Sequence, residues 1–180
     1  MKKYLQIAAS ILMLFASNVL FAQSNSQAIK LLTQSIRQHK SMEVSLTYQI
    51  IGESSEDEIA KDAMAYFQDK AYKLIMADHH TISDGTTSWT YIPEDQEVMV
   101  GNANESENPF IILDDLERDS SGINPIFDQK GNLKTLEVEI DEGVKIILNI
   151  KEILFDQDYP EGFFTFDEKA HPDVEVIDMR

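Results

Sequence analysis

Apolar and polar residues alternate in short runs along most of this chain, and turn residues separate the runs. In Met42–Ile51, Val44, Leu46, Tyr48 and Ile50 occupy one set of alternate positions, and Ser45, Thr47 and Gln49 the other. Successive strand side chains point to opposite faces, so this run predicts a strand with one apolar face. Ala71–Ala77 puts Tyr72, Leu74 and Met76 together in the same way. His79–Ser83, Thr86–Ile92 and Gln96–Gly101 follow at short intervals and predict an antiparallel meander. Asp84-Gly85 falls between two of these runs and favours a type I′ hairpin turn, with Trp89 and Tyr91 on one face of the outgoing strand. Ile59–Gln68 reads as a further strand, with helix a competitor because of its Ala-rich centre. Leu133–Ile140 and Val144–Ile150 predict a hairpin over Asp141-Glu142-Gly143; Phe163–Phe166 and Val174–Asp178 read as closing strands. Asn124–Asn132 shows no such pattern and reads as irregular.

Helical spacing occurs at two places. Over Ser26–Lys40, Ala28, Ile29, Leu32 and Ile36 recur at three- and four-residue steps, after a capping run Ser24-Asn25-Ser26. Asn108 followed by Pro109 can cap and start a second, short helix carrying Phe110, Ile111, Ile112, Leu113 and Leu116. One or two helices and about ten strands leave a broad apolar sheet face that must be covered.

Residues 1–22 read as a cleaved secretory signal peptide: Lys2 and Lys3, an apolar stretch from Leu5 to Phe21, and Ala22 before the cut. The apolar stretch is interrupted by Gln6, Ser10, Ser17 and Asn18, which argues against a membrane-spanning helix. Residues 23–180 then form a single domain, expected in the periplasm. With no Cys, the chain has neither a disulfide nor a thiol for lipidation.

The 32 acidic residues outnumber the 15 basic ones, for a net charge of −17. Such a surface cannot neutralise phosphates, so nucleic acid is not an expected partner, and neither is an anionic membrane surface. No nucleophile elbow, phosphate-binding glycine loop or HExxH run is present, and the His79-His80 pair on a strand would diverge. The expectation is therefore no catalytic residue, no metal and no cofactor.

The run from Ile82 through Asp84, Gly85, Trp89 and Tyr91 to Glu97 and Val98 resembles the periplasmic outer-membrane lipoprotein carriers, the LolA family, in their Bacteroidetes-type form. Asn108-Pro109-Phe110, Phe163-Phe164-Thr165-Phe166-Asp167 and Val174–Arg180 resemble further landmarks of that family in the same order. The resemblance implies a mainly β fold with a helical lid: a curved antiparallel sheet forming an unclosed β-barrel covered by short α-helices, LolA-like or LppX-like. It implies a soluble, monomeric periplasmic chaperone that binds the acyl chains of lipoproteins in a hydrophobic cavity and carries them from the inner to the outer membrane. Its partners would be acylated lipoproteins and an inner-membrane lipoprotein-releasing ABC transporter.

On this reading Val44, Leu46, Tyr48, Ile50, Tyr72, Leu74, Met76, Trp89 and Tyr91 line the acyl-binding cavity. Ile29, Leu32, Ile36, Phe110, Ile112, Leu113 and Leu116 belong to the lid. Each cavity residue could equally be core beneath that lid. Two departures stand out. Lys70 and Lys73 occupy the region where many such carriers have a lid-latching Arg, and only Glu117–Gln129 fills the place of a further strand pair. A sensory or regulatory lipid-binding domain on the same scaffold is the alternative.

Overall fold

The computed structural model describes residues 25–52, 59–103, 121–141 and 144–180. The expected signal peptide, the Pro109–Leu116 helix with lid residues Phe110, Ile112, Leu113 and Leu116, and the turn at 142–143 lie outside the described residues. Among those described are one helix, α1 (Asn25–Ile36), and ten strands: β1 (Ser41–Ile51), β2 (Lys61–Gln68), β3 (Ala71–Ile75), β4 (His80–Ser83), β5 (Thr87–Ile92), β6 (Glu97–Asn102), β7 (Ile123–Phe127), β8 (Leu133–Asp141), β9 (Val144–Phe155) and β10 (Glu175–Asp178). All ten belong to one sheet that does not close, in the order β10-β6-β5-β4-β3-β2-β1-β9-β8-β7. No described helix is long and apolar enough to cross a membrane.

The predicted meander is β1 to β6, each strand antiparallel to the next. Pairing decides the helix–strand competition in β2: Ala65 lies between Val44 and Leu74 and is buried there, where a small side chain suits close packing. Four local expectations need correction.

At the β4–β5 turn, Gly85 has φ +88 but Asp84 does not adopt a positive φ, so the turn is not type I′. Asp84 N donates to Thr87 O at 3.2 Å, which makes Gly85 and Thr86 the central residues, with glycine first as a type II′ turn requires. The Asp84 carboxylate instead accepts from Thr86 N and Thr87 N at 2.8 and 2.7 Å.

The segment expected to be irregular contains β7. Pro125 concealed it, because proline is excluded from central strands; β7 is an edge strand, where the missing N–H is tolerated.

Phe163–Phe166 is not a strand. Gly162 takes φ +81, and two successive turns run Phe163 N to Pro160 O and Thr165 N to Gly162 O, both 3.1 Å. Finally, β10 runs parallel to β6, so the sheet is mixed rather than antiparallel throughout.

A parallel partner needs a crossover connection. Residues 156–174 supply it, leaving β9 beside β1 and reaching β6 across one face of the sheet. Aromatic contacts trace the path: Tyr159 and Phe163 pack edge-on against Tyr66 of β2, Lys73 Nζ of β3 lies 4.9 Å from the centre of the Phe163 ring, and Phe166 meets Tyr91 of β5 at 5.2 Å. Ile82, Val98 and Phe166 form a buried core under this strap, with Trp89, Tyr91 and Val174 packed against it.

Candidate functional site

The sheet register assigns every strand residue to a face, because directly paired residues point to the same side. One row runs Val44–Ala65–Leu74–Thr81–Thr90–Met99 across six strands. The neighbouring row, on the opposite face, runs Glu43–Tyr66–Lys73–Ile82–Trp89–Val100. No register shift interrupts either row.

The predicted cavity residues therefore divide. Val44, Leu46, Tyr48, Ile50, Tyr72 and Leu74 share the first face, and Met76 lies just beyond the end of β3. Trp89 and Tyr91 lie on the second face, beneath the strap. The physical reason is the odd-even phase of the two hairpins between β3 and β5, which puts Ile82 and Trp89 opposite Lys73 rather than Leu74. Trp89 and Tyr91 are covered by the chain's own Phe166, His171 and Val174, so a single lining that includes them is ruled out by the register.

The first face extends further than the predicted lining. Val44 pairs with Ile153, Leu46 with Ile150, Tyr48 with Leu148 and Ile50 with Ile146; Leu148 in turn pairs with Leu136, and Ile146 with Val138. Pro125 and Ile123 continue the face to the β7 edge. The alternation in Leu133–Ile140 and Val144–Ile150 contained this information, but a hairpin alone does not say which face meets β1. Val44, Tyr48, Ala65 and Tyr72 are buried on this face, whereas Leu46, Ile50, Phe67, Leu74, Leu148 and Ile150 are half-buried. Register shifts occur where β9 meets β1 at Ser45/Leu46, in β7–β8 and in β8–β9. Such irregularities bend the strands that carry them.

The helix α1 turns its predicted stripe inward. Ile29 is buried and Leu32 and Ile36 are half-buried, while Leu31 at the stripe's edge is exposed. Thr33 is buried as deeply as Ile29, and its hydroxyl donates to Lys30 O at 3.0 Å, which is how a polar residue sits in the stripe. The helix packs on β7.

Its exit is bracketed by Asp156. His39 Nδ1 lies 2.8 Å from Asp156 Oδ2, Lys40 N donates to Asp156 Oδ1 at 3.0 Å, and Asp156 N donates to Ser41 O at 3.0 Å. The His39 ring stacks on Phe155 with centroids 4.0 Å apart. Phe155 pairs with Met42 and so belongs to the Val44 face, which places the start of α1's connection to β1 on that side. The hydrogen bond from His39 and that from the Lys40 amide hold the Asp156 carboxyl below the usual carboxylate range.

Electrostatics on the strap side follow burial. Burial pushes the Tyr159 hydroxyl up to about 12, and the Glu43 carboxylate and Tyr66 add to the effect. That hydroxyl is buried without a hydrogen-bond partner. Burial also lowers the pKa of His80, reinforced by Lys73, His79 and His171. His79 Nδ1 lies 2.9 Å from Asp78 Oδ1, while His80 meets the Tyr91 ring edge-on. Among the described residues no cluster of three or more His, Asp or Glu is placed to hold a metal ion. A polar cleft of about 370 Å³ lies between β7, β8 and β9, lined by Ser121, Ile123, Asn124, Glu137, Glu139 and Lys145.

No family model matches this chain, and neither does any curated protein. Among solved structures, it is similar to the crystal structure of an uncharacterized conserved protein from Thermus thermophilus. The TM-score is 0.54 at 9% identity, over 84% of this chain and 99% of that one. At that identity the likeness is one of fold alone.

Proposed function

We propose that this chain is a soluble periplasmic carrier that shields the acyl chains of lipoproteins on the Val44 face of its sheet and moves them between the inner and outer membranes. The observation that carries the reading is the row of large apolar side chains, Leu46, Ile50, Leu74, Leu148 and Ile150, that share this face yet are only half-buried. A sheet face of this kind trades apolar contact with whatever covers it. Each methylene withdrawn from water contributes about 0.8 kcal/mol, so the roughly forty of a triacylated anchor amount to about 30 kcal/mol by the same rule. Exchange of one apolar surface for another meets that need without any covalent chemistry.

In this reading α1, with Ile29, Leu32 and Ile36 turned inward, is one piece of a lid. The Asp156 bracket is the pivot on which it is held. The resemblance to the LolA family in the Ile82–Val98 run supports the same class. The inner-membrane donor would be a lipoprotein-releasing ABC transporter, and the unit of action a monomer.

Native mass spectrometry of the protein isolated from its own periplasm tests the proposal. The expected result is a population carrying the mass of a lipid or lipoprotein. Transfer of labelled lipoprotein between inner- and outer-membrane vesicles separates a carrier from a sensory domain, which would bind but not deliver. Protein that carries no lipid and takes up no acyl probe in solution would sink the reading.

A further inference from the structure

The apolar face does not stay apolar along its length. From Leu74 and Tyr72 on β3 it passes directly to Thr81 and Ser83 on β4, then to Thr90 and Ser88 on β5. Thr81 pairs with Thr90 and Ser83 with Ser88, so four hydroxyl-bearing side chains form a two-by-two block. Ser83 is buried, and its Oγ accepts from Gly85 N at 3.1 Å; Ser88 Oγ donates to Asn102 O at 3.5 Å. The two serines are thus committed to the adjoining backbone. The Thr81 and Thr90 hydroxyls have no hydrogen-bond partner among the described residues, and both side chains are half-buried.

Charge on this part of the face is one-signed. Among the described residues, the charged side chain on this face of β4, β5 and β6 is Glu97, paired with Ile92. Lys73 and His80 point to the other face. A phosphate needs Lys or Arg, or a nest of N–H donors, to replace its hydration. A hydroxyl pair suits a neutral acceptor such as an ester or amide carbonyl.

We propose that the Thr81–Thr90 pair is a head-group subsite for an uncharged, carbonyl-bearing acyl ester or amide whose hydrocarbon lies over Leu74 and its apolar neighbours. The proposal rests on the carrier reading and adds a selectivity to it: an acyl ester or amide is held more tightly than an ether of the same chain, which offers the hydroxyls no carbonyl. Two hydroxyl-to-carbonyl bonds in a partly dry site discriminate by on the order of tenfold.

Displacement of an environment-sensitive naphthylamine dye from the full chain tests this. The competitors are a monoacylglycerol and the monoalkylglycerol ether of the same chain length, which lacks the carbonyl. The wild-type chain is expected to prefer the monoacylglycerol by about tenfold. The double variant Thr81→Val/Thr90→Val keeps the β-branched shape and is expected to lose that preference while binding the dye unchanged. The Thr81→Ser/Thr90→Ser variant, which keeps both hydroxyls, is expected to retain it. Equal affinity of the wild type for the two lipids overturns the subsite, and so does an undiminished preference in the Val variant. Failure of the wild type to bind either the dye or the monoacylglycerol overturns the carrier reading together with the subsite; dye binding without lipid discrimination overturns the subsite alone.

Discussion

Leu74 and Trp89 stand on opposite faces of one sheet, separated by a single strand. Leu74 is paired through Thr81 to Thr90, whereas Trp89 is paired through Ile82 to Lys73. Their substitutions should therefore part company. Leu74→Glu places a carboxylate on the half-buried apolar row and is expected to abolish uptake of an acyl dye while the urea midpoint changes little. Trp89→Ala opens a hole beneath the strap and is expected to cost about 3 kcal/mol of stability with dye affinity retained. Parallel dye titrations and urea melts on the two variants would show the split; loss of dye binding in both with no loss of stability would contradict the assignment of faces.

Gly85 is fixed by two constraints at once. Its φ is +88, and a Cβ there would meet the Lys70 Cβ at 2.8 Å, too close without a shift of the β2–β3 turn. Gly85→Ala is expected to destabilise by about 2 kcal/mol, from backbone strain plus the close contact. Thermal unfolding measures it, and an unchanged midpoint would mean the turn adapts freely.

His80 is expected to make stability sensitive to mild acid. Its pKa is lowered in the fold by burial, with Lys73, His79 and His171 adding to the effect. The folded state thus binds fewer protons than the unfolded one once the pH falls below the ordinary histidine value of about 6.5. Stability is full above that pH and declines as the pH drops toward the folded value. A series of urea melts between pH 8 and pH 5, approximate limits that bracket the ordinary histidine value, should show this decline, and His80→Gln should reduce its slope. An identical slope in the variant would place the titration elsewhere.

The Asp156 bracket acts at lower pH and in the same direction. Hydrogen bonds from His39 and Lys40 lower its pKa, so its contribution is present above the usual carboxylate value of about 4 and is lost as the pH falls through the folded value. Asp128 and Asp178 share this behaviour, Asp178 being lowered to about 2 by Arg180. Asp156→Asn is expected to flatten part of the acid limb of a stability–pH curve and to raise amide exchange at the α1–β1 junction. Unaltered exchange there would remove the bracket's role in holding the helix.

Much of the meander is legible because alternation and turn residues agree. Val44, Leu46, Tyr48 and Ile50 do lie on one face, and Ile29, Leu32 and Ile36 do turn inward. Four things are hidden. The face of a strand relative to one several turns away depends on the parity of every intervening hairpin, which local pattern does not report; hence the expected lining joins Trp89 and Tyr91 to Leu74. Pro125 suppresses the strand signal of β7 although an edge position tolerates it. The aromatic run Phe163–Phe166 has high strand propensity, yet Gly162 and Pro160 fold it into turns whose rings cap the sheet. The hydroxyl block is visible as residues but not as a block, since it exists only through the pairing of β4 with β5.

The parallel addition of β10 to β6 imposes an order in time. Strands β1 to β6 can zip up as neighbouring hairpins, each closing a short loop. The seam between Glu175 and Glu97 and the longer-range seam of β9 with β1 have to wait for distant parts of the chain to meet, a slow class of event. Until the strap settles, Ile82 and Val98 lack the cover of Phe166. Closure of these two seams is therefore the step at which aggregation during refolding is expected to compete with folding.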